Sequence, residues 1–289
     1  MPRRALGHAA ALACALLSGH AAAMSPDPTG LWYDPAESGW GLMVAQQGGT
    51  GFAVLFVYDQ NHNPAWYVAS DLETPETFGP VAGGSGLSGT LYRTMGPWFG
   101  GSFDPRAVTM TPAGTLILQY PDANAQSLRA IYMIDGIAVT KSLQPQTWGD
   151  GRTLLLGSYE GGLTTTFKSA ANCDDLYYGP INRTMPFNFQ VGTTGTGQLT
   201  ISWTTGIDTY CQATGDYAQR GQLGSFSGQL QCGTAGAGLN PVTTVALQLT
   251  GLAITANGFA GGLSLQRGAC TYSGNVGGVR TLGWDFAGR

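Results

Sequence analysis

The chain has 289 residues, of which 45 are glycine and only 10% are charged, and its formal net charge is −4. It has no run or patch of Lys and Arg, which argues against nucleic acid as a partner. Gly and Thr are plentiful but there are only two lysines, a composition that favours strands and turns over helices and predicts an all-β protein.

The first 23 residues have the pattern of a signal peptide. Arg3 and Arg4 precede an apolar run at 5–17, and the alanines at 21–23 are the small residues that a signal peptidase requires. We therefore expect an exported chain, secreted or periplasmic, that begins near Met24. No later apolar stretch reaches the ~18 residues of a membrane helix, so we expect no membrane insertion.

Residues 24–145 are predicted to form a first domain made of successive hairpins. Apolar and aromatic residues alternate with polar ones, and turn-forming residues separate the runs. The pattern of strands and turns runs from Leu31 to about Leu143. The predicted strands are 39–45, 52–58, 65–72, 86–93, 107–111, 114–120, 127–134 and 137–143. About eight strands suit a small closed barrel or a barrel-like sandwich.

A linker at 146–153 and a second domain at 154–289 follow. Its predicted strands are 154–162, 187–191, 197–203, 208–212, 221–232, 242–249, 258–265 and 270–279. The chain thus predicts two antiparallel meander domains. The alternative is one outer-membrane barrel of about sixteen strands. Four cysteines, small residues on both strand faces and the terminal Arg289 argue against that alternative.

Four cysteines follow the signal segment, at positions 173, 211, 232 and 270. An even number at wide spacing in an exported chain indicates two disulfides. We favour Cys211–Cys232, which would bridge a hairpin, together with Cys173–Cys270. In the alternative pairing, Cys173–Cys211 with Cys232–Cys270, the two sequence separations are equal, so this pairing stays open.

The sequence predicts no metal site and no cofactor. His62 is the single histidine after the signal segment, and its Asn-His-Asn-Pro context is typical of a hairpin tip. Asp59, Asn61 and Asn63 have the spacing of a calcium loop but lack the glycine and glutamate that such a loop needs. The glycines at 84–89 match a dinucleotide pattern, but a strand follows them instead of a helix.

Residues 30–42 are the densest cluster of candidate functional side chains. Asp34 and Glu37 beside tryptophans are the kind of pair that glycosidases use. Both residues also suit a turn in which their carboxylates accept hydrogen bonds from backbone N–H groups. We therefore assign no catalytic residue and expect a binding surface. The candidate ligand-binding residues are Trp32, Tyr33, Asp34, Glu37, Trp40, Trp66 and Trp98.

The segment Gly-Leu-Trp-Tyr-Asp-Pro-Ala-Glu-Ser-Gly-Trp-Gly-Leu at 30–42 resembles a motif of exported proteobacterial β modules. The similarity covers about 29–145 and continues through segments 56–59, 64–67, 88–93, 96–100 and 103–105. The resemblance implies a secreted β module, often an accessory to other exported domains, without assigned chemistry. The opening Gly-x-Trp is also similar to the first strand of avidin and lipocalin barrels.

Three functional hypotheses follow from these patterns. The first is a non-catalytic module that binds a small apolar molecule or a glycan at an aromatic barrel mouth. The second is a structural or cell-surface protein that associates with itself. The third is a hydrolase that uses Asp34 and Glu37.

Overall fold

The computed structural model describes residues 27–74, 85–121, 126–169, 173, 184–205, 209–234, 238–239 and 244–281. The predicted signal peptide at 1–23 lies outside these residues. The fold is all-β, as predicted, and consists of two closed antiparallel barrels. Within the described residues, no helix has the length and apolar character needed to cross a membrane.

The first barrel is an eight-stranded meander in which each strand pairs with the next. The last strand pairs with the first through Trp32↔Pro145 and Tyr33↔Gln144, which closes the barrel. Its strands are β1 (Gly30–Tyr33), β2 (Gly41–Gln47), β3 (Thr50–Tyr58), β4 (Pro64–Leu72), β5 (Ser85–Met95), β6 (Thr109–Tyr120), β7 (Leu128–Ile134) and β8 (Ile137–Pro145).

The alternation of side chains along these strands fills the interior of the first barrel. On β3, for example, Ala53 and Leu55 are buried while Phe52 and Phe56 are exposed, because successive side chains point to opposite faces. Layers of such inward residues pack the barrel as a solid core. The buried set includes Leu42, Val44, Ala69, Leu72, Leu87, Leu91, Leu116, Leu118, Leu128, Ala130 and Leu143.

The second barrel repeats the same plan. Its strands are β9 (Gly157–Lys168), β10 (Thr184–Thr193), β11 (Leu199–Thr205), β12 (Thr209–Arg220), β13 (Leu223–Thr234), β15 (Val245–Thr255), β16 (Gly258–Arg267) and β17 (Cys270–Arg280). The pairing of β17 with β9 closes the ring, and the two-residue strand β14 (Gly238–Leu239) lies beside β13. The strands therefore form two rings instead of one sheet of sixteen.

Both disulfides have the favoured pairing. Cys211 and Cys232 lie directly opposite each other on β12 and β13, so this bridge joins a hairpin. Cys173 is bonded to Cys270 at the start of β17. The alternative pairing suggested by equal separation is wrong, because the register of β12 and β13 places Cys211 against Cys232.

Three predicted strands differ from the observed elements. Ala107 ends a 3-10 helix (Pro105–Ala107), and the rest of segment 107–111 joins 114–120 in the single strand β6 from Thr109, whose pairing with β5 shifts register at Leu91/Tyr92, opposite Pro112. Leu154 lies in the short helix α1 (Arg152–Leu155), and the strand predicted from 154 begins instead at Gly157. Alternation alone does not separate a single helical turn from the start of a strand.

Candidate functional site at the open end of the first barrel

Four connections of the first barrel meet at one end. Because the strands run alternately up and down, the loops that follow β1, β3, β5 and β7 lie together. They comprise residues 34–40, 59–63, 96–108 and 135–136. We call this end of the barrel the mouth.

The loop at 34–40, which contains the motif, is held by its own carboxylates. Asp34 accepts a hydrogen bond from the Ala36 amide through Oδ1, at 2.9 Å, and from the Glu37 amide through its carbonyl, at 3.0 Å. These are the bonds of a turn that the short Asp side chain stabilises. Asp34 is thereby engaged as a turn residue.

Glu37 connects this loop to β8, the last strand of the barrel. Lys141 on β8 donates to both carboxylate oxygens, at 2.5 and 2.7 Å, and the Trp40 indole Nε1 donates to Oε2 at 3.0 Å. The Lys141 ammonium also lies 5.8 Å from the centre of the Trp40 ring. We call this set, Glu37, Trp40 and Lys141, the latch.

The latch sets the protonation state of Glu37. The hydrogen bond from Lys141 is the largest influence and holds the pKa of the Glu37 carboxyl below its usual value. The general acid of a glycosidase needs a raised pKa. Glu37 therefore lacks the property that would make it a proton donor at neutral pH, and its observed contacts are those of a structural residue.

The loop between β3 and β4 is a tight hairpin, as its turn residues predict. Asp59 accepts bonds from the amides of Asn61 and Asn63, both at 2.8 Å, and these bonds lower the pKa of its carboxyl. His62 donates its amide to the Asp59 carbonyl and has a φ of 63°. The carboxylate thus organises its own loop. No group of three or more metal-ligating side chains occurs in the part of the chain that the structure describes.

A cleft of about 460 Å³ lies at the mouth. This volume falls in the range of roughly 300–1,000 Å³ typical of ligand pockets. The lining combines aromatic rings, aliphatic side chains and polar groups. It consists of Val57, Tyr58, Asp59, Gln60, Asn61, Tyr67, Arg93, Tyr132, Ile134, Asp135, Ile137 and Val139.

Arg93 and Asp135 form the polar side of this cleft. Nη2 of Arg93 donates to Oδ2 of Asp135 at 2.7 Å and to the Tyr67 hydroxyl at 3.1 Å. Asp135 and Gly136 have φ values of 49° and 83°, so they form the left-handed two-residue turn that joins β7 to β8. This turn is what places the Asp135 carboxylate beside Arg93.

Of the predicted tryptophans, Trp40 and Trp98 lie in loops of the mouth, whereas Trp32 and Trp66 lie on strands. Trp32 is only 2% exposed, and its Nε1 donates to the Pro28 carbonyl at 2.8 Å. This corrects the expectation that Trp32 would present a stacking surface, since its position on β1 is an inward one. Trp40 is half-buried in the latch. Tyr33 is half-buried as well, and its hydroxyl accepts a bond from Gln144.

Trp66 and Trp98 are both exposed to solvent. Trp66 is 58% exposed on β4, directly across from Phe56 on β3, and its Nε1 donates to the Thr94 hydroxyl at 3.2 Å. Trp98 is 72% exposed in the loop after β5. Together with Met43 and Phe52, which are also exposed, Phe56 and Trp66 form an apolar outer surface that we call the outer wall.

The interior of the second barrel offers little space by comparison. Its cavity measures about 20 Å³ and is lined entirely by apolar side chains, among them Phe189, Trp203 and Phe259. A volume of this size accommodates about one water molecule. The mouth of the first barrel therefore offers more room for a ligand than this interior does.

The sequence reasoning missed Tyr67, Arg93, Tyr132, Asp135 and Lys141. A signal for two of them was present in the strand pattern. Lys141 is in phase with the buried Leu143 on β8, and Arg93 is in phase with the buried Leu91 on β5. A charged residue at an inward position near the end of a barrel strand indicates a polar mouth.

The fold and the mouth together define a protein of two up-and-down eight-stranded barrels, the first with a cleft of mixed polarity at one end. No family model matches the chain, and no curated protein matches its sequence. The resemblance to the exported proteobacterial modules stays a prediction.

Proposed function

We propose that the chain is a non-catalytic binding module of an exported protein, with its ligand site at the mouth of the first barrel. The observation that carries the proposal is the cleft of about 460 Å³, in which rings and aliphatic side chains face a fixed Arg–Asp pair. Small-molecule sites typically combine an apolar lining with a few placed polar groups. The ligand classes are those suggested by the sequence, a small apolar molecule or a glycan.

Export is supported by two independent features. The leader at 1–23 has the arrangement of a secretion signal. The disulfides Cys173–Cys270 and Cys211–Cys232 are bonds that persist in oxidising compartments. A secreted or periplasmic location follows from this proposal.

Filling the cleft tests the binding function. Ile137 lines the cleft and is exposed, so Ile137→Trp should occupy the space without disturbing the core. Met133 is also exposed and lies on β7 but does not line the cleft, so Met133→Trp is the matched control. Small sugars and apolar fragments should shift the amide resonances of cleft residues in the parent chain and the control, and not in Ile137→Trp. Equal shifts in both variants would place the ligand elsewhere.

The outer wall supports a second candidate function, self-association of the chain through the first barrel. Phe56 and Trp66 are cross-strand neighbours with much of their apolar surface in solvent, and exposed apolar patches often mark interaction sites. A second copy of the chain is the proposed occupant. Sedimentation should then show a dimer that dissociates in Trp66→Ser but persists in Trp98→Ser, which changes a still more exposed tryptophan in a loop. A monomer at all concentrations would refute this candidate.

A further inference from the structure

Arg93 is held in one orientation at the mouth. Its Nη2 donates to both Tyr67 and Asp135, and its guanidinium carbon lies 5.3 Å from the centre of the Tyr67 ring. The hydrogen bonds to Tyr67 and Asp135 raise the pKa of Arg93, so the group is a permanent cation. Because the guanidinium is planar, fixing one nitrogen and the ring contact also fixes the directions of its other N–H bonds.

The Arg93–Asp135 pair has unused hydrogen-bonding capacity. Among the described residues, Nε and Nη1 of Arg93 have no recorded partner, and neither does Oδ1 of Asp135. The two side chains are 47% and 59% exposed. The rim of the cleft therefore carries N–H donors immediately beside a carboxylate acceptor.

Each lysine and arginine of the mouth is already paired with a carboxylate of the protein, and the carboxylates outnumber these cations. Asp135 neutralises Arg93, Glu37 neutralises Lys141, and the Asp59 carboxylate accepts bonds from its own loop. The mouth thus offers an anionic ligand no cation without a partner. A wholly apolar ligand would cover the Arg93–Asp135 pair without replacing its water, which is unfavourable.

A neutral sugar ring satisfies these constraints. Each of its hydroxyl groups both donates and accepts a hydrogen bond, so two adjacent hydroxyls match a donor beside an acceptor. Its C–H face is apolar and suits the rings and aliphatic side chains of the cleft, since the face of an aromatic ring is its negative side. The exposed Tyr58 and Ile137, together with the half-buried Val139, supply that surface.

We propose that the mouth binds a neutral pyranose and that Arg93 and Asp135 together recognise two adjacent hydroxyls of the ring. The inference rests on the proposed function of the same site. It assigns Arg93 and Asp135 as the residues that determine ligand class.

The test uses the purified chain with both barrels and three sets of probes. They are the methyl pyranosides of glucose, galactose and mannose, the corresponding uronic acids, and hexan-1-ol as an apolar neutral compound. Binding is measured by titration of amide resonances. We expect at least one methyl pyranoside to bind at the cleft more tightly than its uronic acid and more tightly than hexanol.

Variants of the pair give the second readout. Asp135→Asn removes the carboxylate but keeps a residue that tolerates a positive φ, and Arg93→Lys keeps the charge but loses the planar fork. Each should weaken pyranoside binding by about tenfold or more. Asp104→Asn, in the exposed Arg106–Asp104 pair outside the cleft, is the matched control and should leave the affinity unchanged.

The contrary outcomes are distinct. Tighter binding of a uronic acid, strengthened further by Asp135→Asn, would overturn the neutral-sugar inference and leave the binding function standing. If hexanol alone binds and neither variant changes its affinity, the neutral-sugar inference is also overturned, and the mouth is a binding site for an apolar ligand. If no probe of any class perturbs cleft residues, both the inference and the proposed function fail.

Discussion

Replacing Arg280 with alanine should destabilise the second barrel by about 3 kcal/mol. Arg280 is the last residue of β17 and holds the chain before β9 in place. Its guanidinium donates to the carbonyls of Leu154, Leu156 and Ala256 and to the Tyr159 hydroxyl, and it lies 5.0 Å from the centre of the Tyr159 ring. One side chain thus joins the end of the barrel to the turn of helix that precedes it.

The magnitude follows from how exposed each contact is. The bonds to Leu156 and Tyr159 are partly buried, and each contributes about 1 kcal/mol. The contact with the Tyr159 ring adds about 0.5–1 kcal/mol. The bonds to Leu154 and Ala256 are exposed, so water replaces them at little cost. For a domain of this size the loss corresponds to a fall in Tm of roughly 10 °C.

Calorimetry measures the loss, and hydrogen exchange read by mass spectrometry locates it. Exchange should accelerate in β9 and β17 and stay unchanged in the first barrel. Arg220→Ala is the matched control, because Arg220 is an exposed arginine of the same barrel whose side chain makes no hydrogen bond with the described residues. Stability of Arg280→Ala within about 0.5 kcal/mol of the parent chain, or faster exchange confined to the first barrel, would refute the reasoning.

Two further predictions concern the first barrel. Because the pKa of Glu37 is lowered, the latch should be intact at neutral pH and be lost as the pH falls below about 4.3, the ordinary value for Glu. The Trp40 indole N–H resonance reports this transition, and Lys141→Met should move its midpoint to higher pH. An unchanged midpoint would contradict the role of Lys141 in lowering the pKa of Glu37. Gly114→Ala should cost about 2 kcal/mol or more in chemical denaturation, because a Cβ there would lie 1.7 Å from the Met133 carbonyl oxygen. Gly49→Ala, which has open space around its Cβ, should change stability by less than about 0.5 kcal/mol, and equal effects of the two variants would contradict the packing argument.

The strands and the Cys211–Cys232 bridge were predictable because their signals are local, and Cys173–Cys270, whose residues are 97 apart, is the pair that remains once that bridge is assigned. Alternation of apolar and polar residues fixes a strand such as β3, and the turn between two strands fixes which positions oppose each other. The Cys211–Cys232 bridge follows from that register. Helix α1 was not predictable, since four residues carry no helical period.

The site was less predictable because it depends on pairs that are distant in sequence. Glu37 is understood only with Lys141, which lies 104 residues away, and Arg93 only with Asp135, 42 residues away. Tryptophan content misled for a related reason. Residue type does not distinguish Trp32 from Trp66. The inward position of Trp32 on β1 places it in the core, and the outward position of Trp66 on β4 places it in solvent. Residue type alone therefore predicted an aromatic binding surface, but it did not predict which residues line the cleft.

The closing strand pairs have a consequence for how the chain reaches its native state. Trp32 pairs with Pro145, and Tyr159 pairs with Arg280, so each ring is completed by segments more than a hundred residues apart. Contacts of such long range slow folding, and until the last strand docks each sheet has two unpaired edges that invite aggregation. Under the export proposed above, a chain that crosses a membrane from its amino end cannot complete the second ring until β17 has emerged. A chaperone for unpaired strands should then have its greatest effect on yield in the interval before β17 pairs with β9.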